Sequence, residues 1–207
     1  MKSKHTAKTH PKGESAKARL VHAALNTFHA QGYRGTGMAQ LVAESGFPRG
    51  SLYFHFPGGK EEIATAAISQ ARDEIGQGID LAFEAASDPV GALRLIVDAF
   101  ANELASSDYA RGCPVTTVAL ETNADTPRLE AACSSAYVDW QARITRHLRD
   151  TGFAETRASR LATFALSAIE GALILARSAR SRAPLDDVME ELSLLFVPAK
   201  SEKAKKQ

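Results

Sequence analysis

Cysteine is scarce in this chain of 207 residues, and its scarcity excludes several classes of protein. The two cysteines, Cys113 and Cys133, are too few and too far apart in sequence for a zinc framework or a disulfide scaffold. The sequence also lacks a convincing set of nucleophile, base and orienting residue, and a cluster of metal ligands. We therefore expect a protein without a metal or a cofactor, and an enzyme with a helical active site is the weaker alternative.

Long apolar runs are also absent. The first nineteen residues carry six Lys/Arg but no apolar core of a signal peptide, and no stretch of roughly 18 apolar residues occurs. An apolar content of 44% is nevertheless enough for a sizeable core. These observations predict a cytoplasmic protein that does not contact a membrane.

Lysine is missing from most of the chain, and the charge is divided unevenly as a result. All ten lysines lie in residues 2–60 or 200–206. Residues 1–60 hold nine Lys/Arg and two Asp/Glu, whereas residues 61–207 hold sixteen and twenty-two, which gives net charges of +7 and −6. A basic N-terminal part suits phosphate binding, while the acidic remainder would repel DNA. The charge pattern favours a nucleic-acid interface near the N-terminus.

Alternating strand patterns are missing, and helical periodicity predicts an all-α fold of about nine helices. Ser15 begins the first helix and Gly32 ends it, while Thr36 is the predicted N-cap of the second helix. Gly46 and Pro48 separate the second helix from the third.

Later helix starts and the domain boundaries follow from similar signals. A long helix follows Gly58 and Gly59, and the pairs Asp88-Pro89 and Thr126-Pro127 predict an N-cap followed by proline at the first helical position. We expect four parts: a disordered basic arm (1–14), a helix-turn-helix domain that binds DNA (15–60), a ligand-binding and dimerisation domain (61–198), and a basic disordered tail (199–207).

The segment GFPRGSLYFHFPGGKEE, residues 46–62, has the chemistry of a DNA-reading helix. Arg49, Ser51, Tyr53 and His55 fall within two helical turns, so their side chains can reach bases and phosphates. Helical spacing assigns Leu52 and Phe56 to the core and leaves Phe54 partly buried. His55 has an alternative role as a structural histidine.

The stretch from about Arg19 to Lys60 resembles the N-terminal helix-turn-helix domain of the TetR (tetracycline repressor) family. The resemblance rests on LVHAALNTFHAQGYRGTGMAQLVAESGFPRGSLYFHF. GSLYFHFPGGKE, together with ARGCPVTTVALET at residues 110–122, is similar to the subgroup that includes the LmrA and YxaF regulators. The resemblance implies a homodimeric repressor, double-stranded DNA with an inverted-repeat operator, and release by a small-molecule effector.

The resemblance also implies roles for individual residues. By position Arg49 contacts bases, and its guanidinium can bond bidentately to guanine. Lys60, with the N-terminus of the following helix, grips a phosphate. The other implied DNA contacts are Thr36, Ser51, Tyr53 and His55 on phosphates, with Gln40 and Pro48 as secondary candidates.

The C-terminal part supplies candidates for an effector cavity and a dimer interface. The effector is expected to be aromatic or hydrophobic, and to act by shifting the long helix that starts near Lys60. Candidate cavity residues are Phe100, Tyr109, Cys113, Tyr137, Trp140 and Phe164, with Phe83 as a further large group. Candidate interface residues are Leu166, Ile169, Glu170, Leu173, Leu192 and Leu195. A thiol switch between Cys113 and Cys133 is the alternative to a ligand.

Overall fold

The computed structural model describes residues 15–196. Within this range the chain forms nine α-helices and no strand, which confirms the predicted all-α fold. The helices are α1 Ala16–Gly35, α2 Met38–Ser45, α3 Leu52–His55, α4 Gly59–Ala85, α5 Pro89–Ser106, α6 Pro114–Ala119, α7 Pro127–Asp150, α8 Glu155–Ala179 and α9 Ala183–Leu195, and a 3-10 turn, Arg49–Ser51, leads into α3. The predicted arm (1–14) and tail (199–207) lie outside the described residues.

Two of the predicted helix starts are capped as expected. The Ser15 hydroxyl accepts the N–H of Ala18 at 3.1 Å, and the Asp88 carboxylate accepts the N–H of Gly91 at 2.9 Å. Each bond satisfies one N–H group that the first turn of a helix leaves unpaired.

The start of α7 is capped from a distant helix. Thr126 precedes Pro127 as predicted, but its side chain makes no cap bond to α7. The Glu61 carboxylate, in the first turn of α4, accepts the N–H of Arg128 at 2.9 Å. A negative charge at a helix N-terminus is favourable, so this contact joins the starts of α4 and α7.

The predicted N-cap of α2 is wrong. The N-cap residue is Gly37, and Thr36 is 1% exposed with its hydroxyl donated to the Gly32 carbonyl oxygen at 2.8 Å. Gly32 has φ 75° and ψ 175°, which interrupts α1 one turn before its end at Gly35. The interruption leaves the Gly32 carbonyl available, and Thr36 turns inward to satisfy it.

The buried side chains form one continuous cluster that runs from α1 to Phe196. The long helices α4 and α7 pack along each other, and Trp140 of α7 is fully buried and donates its indole N–H to the Arg72 carbonyl at 3.0 Å. Helix α1 packs on α4 and α6, and α8 packs on α7 and α9. The three N-terminal helices are therefore continuous with the rest of the core.

We predict that Gly32→Ala destabilises the protein by about 1–3 kcal/mol, because alanine is strained at positive φ. In addition, a Cβ at Gly32 would approach the Cδ of Glu121 to 2.8 Å. Urea unfolding followed by circular dichroism measures the loss. Gly35→Ala is the control, since a Cβ there meets only ordinary contacts at 3.6 Å, and it should change stability by less than about 0.5 kcal/mol. Equal effects of the two variants would contradict this account.

Candidate nucleic-acid interface and ligand cavity

The turn between α2 and α3 is held by a buried phenylalanine. Gly46 takes the left-handed conformation with φ 64°, and the Ser45 hydroxyl accepts the N–H of Phe47 at 3.2 Å. The ring of Phe47 is buried and packs edge-on against His55 and Phe56, with centroids 5.7 and 6.5 Å away. Phe47 was not among the residues predicted from the sequence, although a large apolar residue between turn-forming Gly46 and Pro48 was a usable signal.

The short helix α3 presents its polar face outward. Leu52 and Phe56 are buried, as predicted, because residues four apart lie on the same side of a helix. Arg49 and His55 are exposed, and Tyr53 is 67% exposed. Phe54, predicted to be partly buried, is instead 84% exposed, because it lies on the side of α3 away from the two buried residues.

The other predicted DNA contacts near α3 differ in their exposure and in their hydrogen bonds. Gln40 of α2 donates its amide to the Glu44 carboxylate at 2.9 Å, and the same carboxylate accepts the Thr27 hydroxyl at 2.8 Å. Pro48 is exposed and Ser51 is partly exposed beside Arg49. Thr36 differs from all of these, since its buried hydroxyl is not on the surface where the implied phosphate contact would occur.

The N-terminus of α4 is occupied by groups from this chain. The Lys60 ammonium lies 4.4 Å from the centroid of the Tyr33 ring, and burial lowers the pKa of Lys60 while the charge of Glu121 opposes that change. The Glu62 carboxylate accepts the N–H of Gly58 at 2.8 Å. A phosphate that bound at this helix start would therefore compete with Glu62 and draw Lys60 away from Tyr33.

A cavity of about 760 Å³ lies between α6 and α8, and we call it the α6–α8 cavity. Tyr109, Cys113, Thr116, Glu170, Leu173 and Arg177 are among the residues that line it. A second cavity of about 610 Å³ lies between α1, α4 and α5 and includes Phe100. A third, of about 20 Å³, is lined by Phe100 and Trp140 and shares Glu170 with the first.

A chain of hydrogen bonds leads to the carboxyl group of Glu170. Thr116 donates its hydroxyl to Glu170 at 2.7 Å and lies 2.6 Å from the Tyr137 hydroxyl. Because the Thr116 proton is given to Glu170, Tyr137 is the donor to Thr116. Burial raises the pKa of Glu170, and the bonds from Thr116 and Cys113 oppose that change. Within residues 15–196, no cationic side chain forms an ion pair with Glu170.

Two family models match this chain. Residues 20–67 match "Bacterial regulatory proteins, tetR family", and residues 89–191 match "Transcriptional regulator LmrA/YxaF-like, C-terminal domain". The HTH-type transcriptional regulator LmrA of Bacillus subtilis (strain 168) is 36% identical over 170 residues, covering 82% of this chain and 90% of LmrA. The chain belongs to the TetR family of transcriptional regulators.

Solved structures of the family share the fold. A regulatory protein TetR from Rhodobacter sphaeroides superposes with a TM-score of 0.78 at 24% identity, covering 88% of this chain and 99% of that one. A cysteine mutant of the TetR-family regulator CifR, complexed with 26bp double-strand operator DNA, superposes with a TM-score of 0.73 at 21% identity, covering 91% of this chain and 100% of that one. This TetR-family member is a DNA-binding transcriptional regulator and not an enzyme.

The predicted effector residues of this TetR-family regulator are divided among the cavities. Tyr109 and Cys113 line the α6–α8 cavity, and Tyr137 reaches that cavity through Thr116. Phe164 lines none of the three cavities and is 50% exposed on α8. Phe83 stacks on His147 with a centroid separation of 4.7 Å. Thr116 and Arg177 were not among the residues predicted from the sequence, because hydrogen bonds between residues far apart in the chain leave no pattern in the sequence.

The predicted dimer-interface residues of α8 and α9 mostly face the interior, which corrects the sequence prediction. Ile169, Leu173 and Leu192 are buried in the core, Leu166 is partly buried, and Glu170 lines a cavity. Only Leu195 of that set is exposed. The other exposed large apolar residues of α8 and α9 are Phe164, Ile174, Leu175 and Leu194, and Ile174 also lines the α6–α8 cavity. A helix that is apolar all round does not indicate which side faces its own core.

Helix α8 is long and apolar. Among residues 15–196 it is the one helix whose length and mean hydropathy, 1.4, would suit a membrane span. Thr163, Ser167 and Glu170 interrupt it, and its inner face packs on α7 and α9. The same composition is typical of a core helix of a soluble protein, so α8 is weak evidence for a membrane span.

Both cysteines are buried thiols. Burial raises the pKa of Cys133 to about 11, and burial together with the negative charge of Glu170 holds the pKa of Cys113 well above its usual value. The thiolate is the reactive form of cysteine, so neither residue has the lowered pKa typical of a redox sensor.

We predict slow reaction of both cysteines with Ellman's reagent in the native protein. At pH 8 a pKa of about 11 in place of 9 lowers the thiolate fraction of Cys133 by about a hundredfold, and the rate should rise about tenfold per pH unit until it levels off above pH 11. Protein unfolded in urea is the control and should react rapidly. Native thiols that react as quickly as unfolded ones would revive the redox alternative.

For the DNA interface, we predict that Arg49→Ala relaxes selectivity at one base position by about 1–3 kcal/mol. Tyr53→Phe and Lys60→Ala should instead weaken binding to all duplexes, and Lys60→Ala should reduce the salt slope by about 1. Fluorescence anisotropy with an operator and single-base variants, at several salt concentrations, separates these effects. Arg157→Ala, an exposed change in the first turn of α8, is the control. A uniform loss from Arg49→Ala would contradict the assignment.

Proposed function

We propose that this regulator is a homodimeric repressor that leaves an inverted-repeat operator when a small molecule binds its C-terminal part. The observation that carries the proposal is the α6–α8 cavity of about 760 Å³, because it lies beside the helix-turn-helix and is large enough for a drug-sized ligand. Residues 15–60 would bind DNA, residues 61–198 would bind ligand and partner, and the protein would act in the cytoplasm.

The exposed groups of α3 support the proposed reading of a duplex. Arg49 provides a planar fork of donors for a guanine, while Tyr53 and His55 are exposed on the same short segment and suit phosphate oxygens. The core packing of Phe47 fixes the segment, so these side chains start from a defined orientation. CifR, which has the same fold, is complexed with operator DNA in its structure.

The outward face of α8 and α9 supports the proposed dimer. Leu194 is 70% exposed and Leu175 is 60% exposed, and Phe164 of α8 is 50% exposed. A patch of large apolar side chains costs free energy in water, and a symmetry-related copy of the same face would bury it. Two subunits joined in this way can place two α3 helices about one DNA turn, ~34 Å, apart.

The lining of the α6–α8 cavity favours an effector with a mainly apolar body. Leu120, Leu173 and Ile174 supply apolar walls, and Glu170 and Arg177 supply a hydrogen-bond acceptor and a donor. A ligand with one or two polar groups on an aromatic or hydrophobic frame matches this surface. Such a ligand would act only if it bound the DNA-free state more tightly than the DNA-bound state.

Selection from a random duplex pool tests the DNA-binding part of the proposal. Purified protein at near-physiological salt should enrich an inverted repeat whose half-sites are about one helical turn apart. The triple variant Arg49→Ala, Tyr53→Ala, His55→Ala is the matched control and should enrich nothing. Salt-sensitive binding by the wild type without an enriched motif would contradict sequence-specific regulation.

For the dimer, we predict that Leu175→Glu with Leu194→Glu converts the protein to monomers, because two buried charges at the interface lack partners. Sedimentation should give twice 22.2 kDa for the wild type and 22.2 kDa for the variant. Operator affinity should fall about a hundredfold, since the half-sites no longer bind together. Leu81→Glu, an exposed leucine on α4, is the control and should stay dimeric. A double variant that remains dimeric would place the interface elsewhere.

A further inference from the structure

The end of α1 is held by three bonds from distant parts of the chain. The imidazole of His29 donates its Nε2 proton to the Gly112 carbonyl, and Arg177 donates to the Ala30 carbonyl at 3.2 Å. The third bond runs from the backbone N–H of Arg34 to the Glu121 carboxylate at 2.5 Å.

The third bond depends on the interruption of α1. Because Gly32 leaves the helical conformation at φ 75°, the last turn of α1 is separated from the turns before it. In this turn the Arg34 N–H donates to the Glu121 carboxylate. The same glycine leaves room for the carboxylate, since a Cβ there would lie on top of it.

All three anchors line the α6–α8 cavity. Gly112 lies just before α6 and Glu121 just after it, whereas Arg177 is on α8, which forms the opposite wall. The two walls therefore hold the same stretch of α1, residues 29–34. No residue that lines the cavity lies on α4. A molecule in the cavity is in contact with the anchors of α1 and not with the long helix.

We propose that Gly112, Glu121 and Arg177 form a latch that positions α1, and that an effector releases DNA by parting α6 from α8 and opening this latch. The inference rests on the proposed function and names its regulation. With both walls in place, α1 and the α2 helix packed against it have one orientation. When the walls separate, the three bonds cannot all persist, because each tolerates only a few tenths of an ångström.

The latch predicts how its residues affect ligand-free DNA binding. Glu121→Ala and Arg177→Gln should each raise the operator Kd about three- to tenfold, since a loosened α1 must be ordered again on binding. Glu121→Gln retains an acceptor for the Arg34 N–H and should restore most of the affinity. Arg157→Gln on α8 and Glu130→Ala on α7 are exposed controls and should leave the Kd unchanged.

A cavity-filling substitution imitates the effector. Thr117 lines the cavity, and Thr117→Trp should raise the operator Kd about tenfold in the wild-type background. In the Glu121→Ala, Arg177→Gln background the same change should raise it less than about twofold, because two of the three latch bonds are already removed. Thr156→Trp, at an exposed site, is the control. Leu120→Trp, on the same cavity wall, replaces Thr117→Trp if that variant does not fold.

Hydrogen exchange at the Arg34 amide tests the latch in the absence of DNA. Exchange should be at least about tenfold faster in Glu121→Ala and in Thr117→Trp than in the controls. Two results would overturn the inference. One is that Thr117→Trp raises the operator Kd as much in the Glu121→Ala, Arg177→Gln background as in the wild type, and the other is that Thr117→Trp leaves the Kd of the wild type unchanged. Failure of the wild type to select an operator would instead overturn the proposed function. Hydrogen exchange at the Arg34 amide would still test the latch in that case.

Discussion

The packing of α1 against α4 and α6 is the contact on which the rest of this structure depends. It places the basic helix-turn-helix on a much larger helical body and makes one continuous core of both. Helices as short as α2 and α3 are not stable alone, so their orientation comes from tertiary packing. Phe28, Phe47 and Phe56 supply that packing, and it determines the positions of the exposed side chains of α3.

The same packing makes the helix-turn-helix responsive to events in the body. A displacement of one element moves another only if the two are bonded together. Here α1 is hydrogen-bonded to both walls of the α6–α8 cavity. The α4–α7 pair forms a stiffer frame, held by the burial of Trp140, the cap from Glu61 and the ion pairs of Asp80 with Arg143 and Arg146. The proposed regulation thus combines a rigid α4–α7 pair with a movable cavity wall.

A group of buried polar side chains lies beside the α6–α8 cavity. Glu170, Thr116 and Tyr137 are joined by hydrogen bonds beside the cavity, and burial of a carboxyl group without a cationic partner costs free energy. Burial raises the pKa of both the Glu170 carboxyl and the Tyr137 phenol, and Glu170 lines the cavity. Such a cost to stability is typical of a binding site.

The sequence by itself determined the helical fold, the caps at Ser15 and Asp88, the inward positions of Leu52 and Phe56, and the family, because local periodicity and turn chemistry encode them. Tertiary structure alone decided which side of α8 faces its own core, where Phe54 and Thr36 lie, and how the cavity walls hold α1. Those outcomes depend on contacts such as Arg34 with Glu121, between residues far apart in sequence, and one-dimensional patterns do not record such distances.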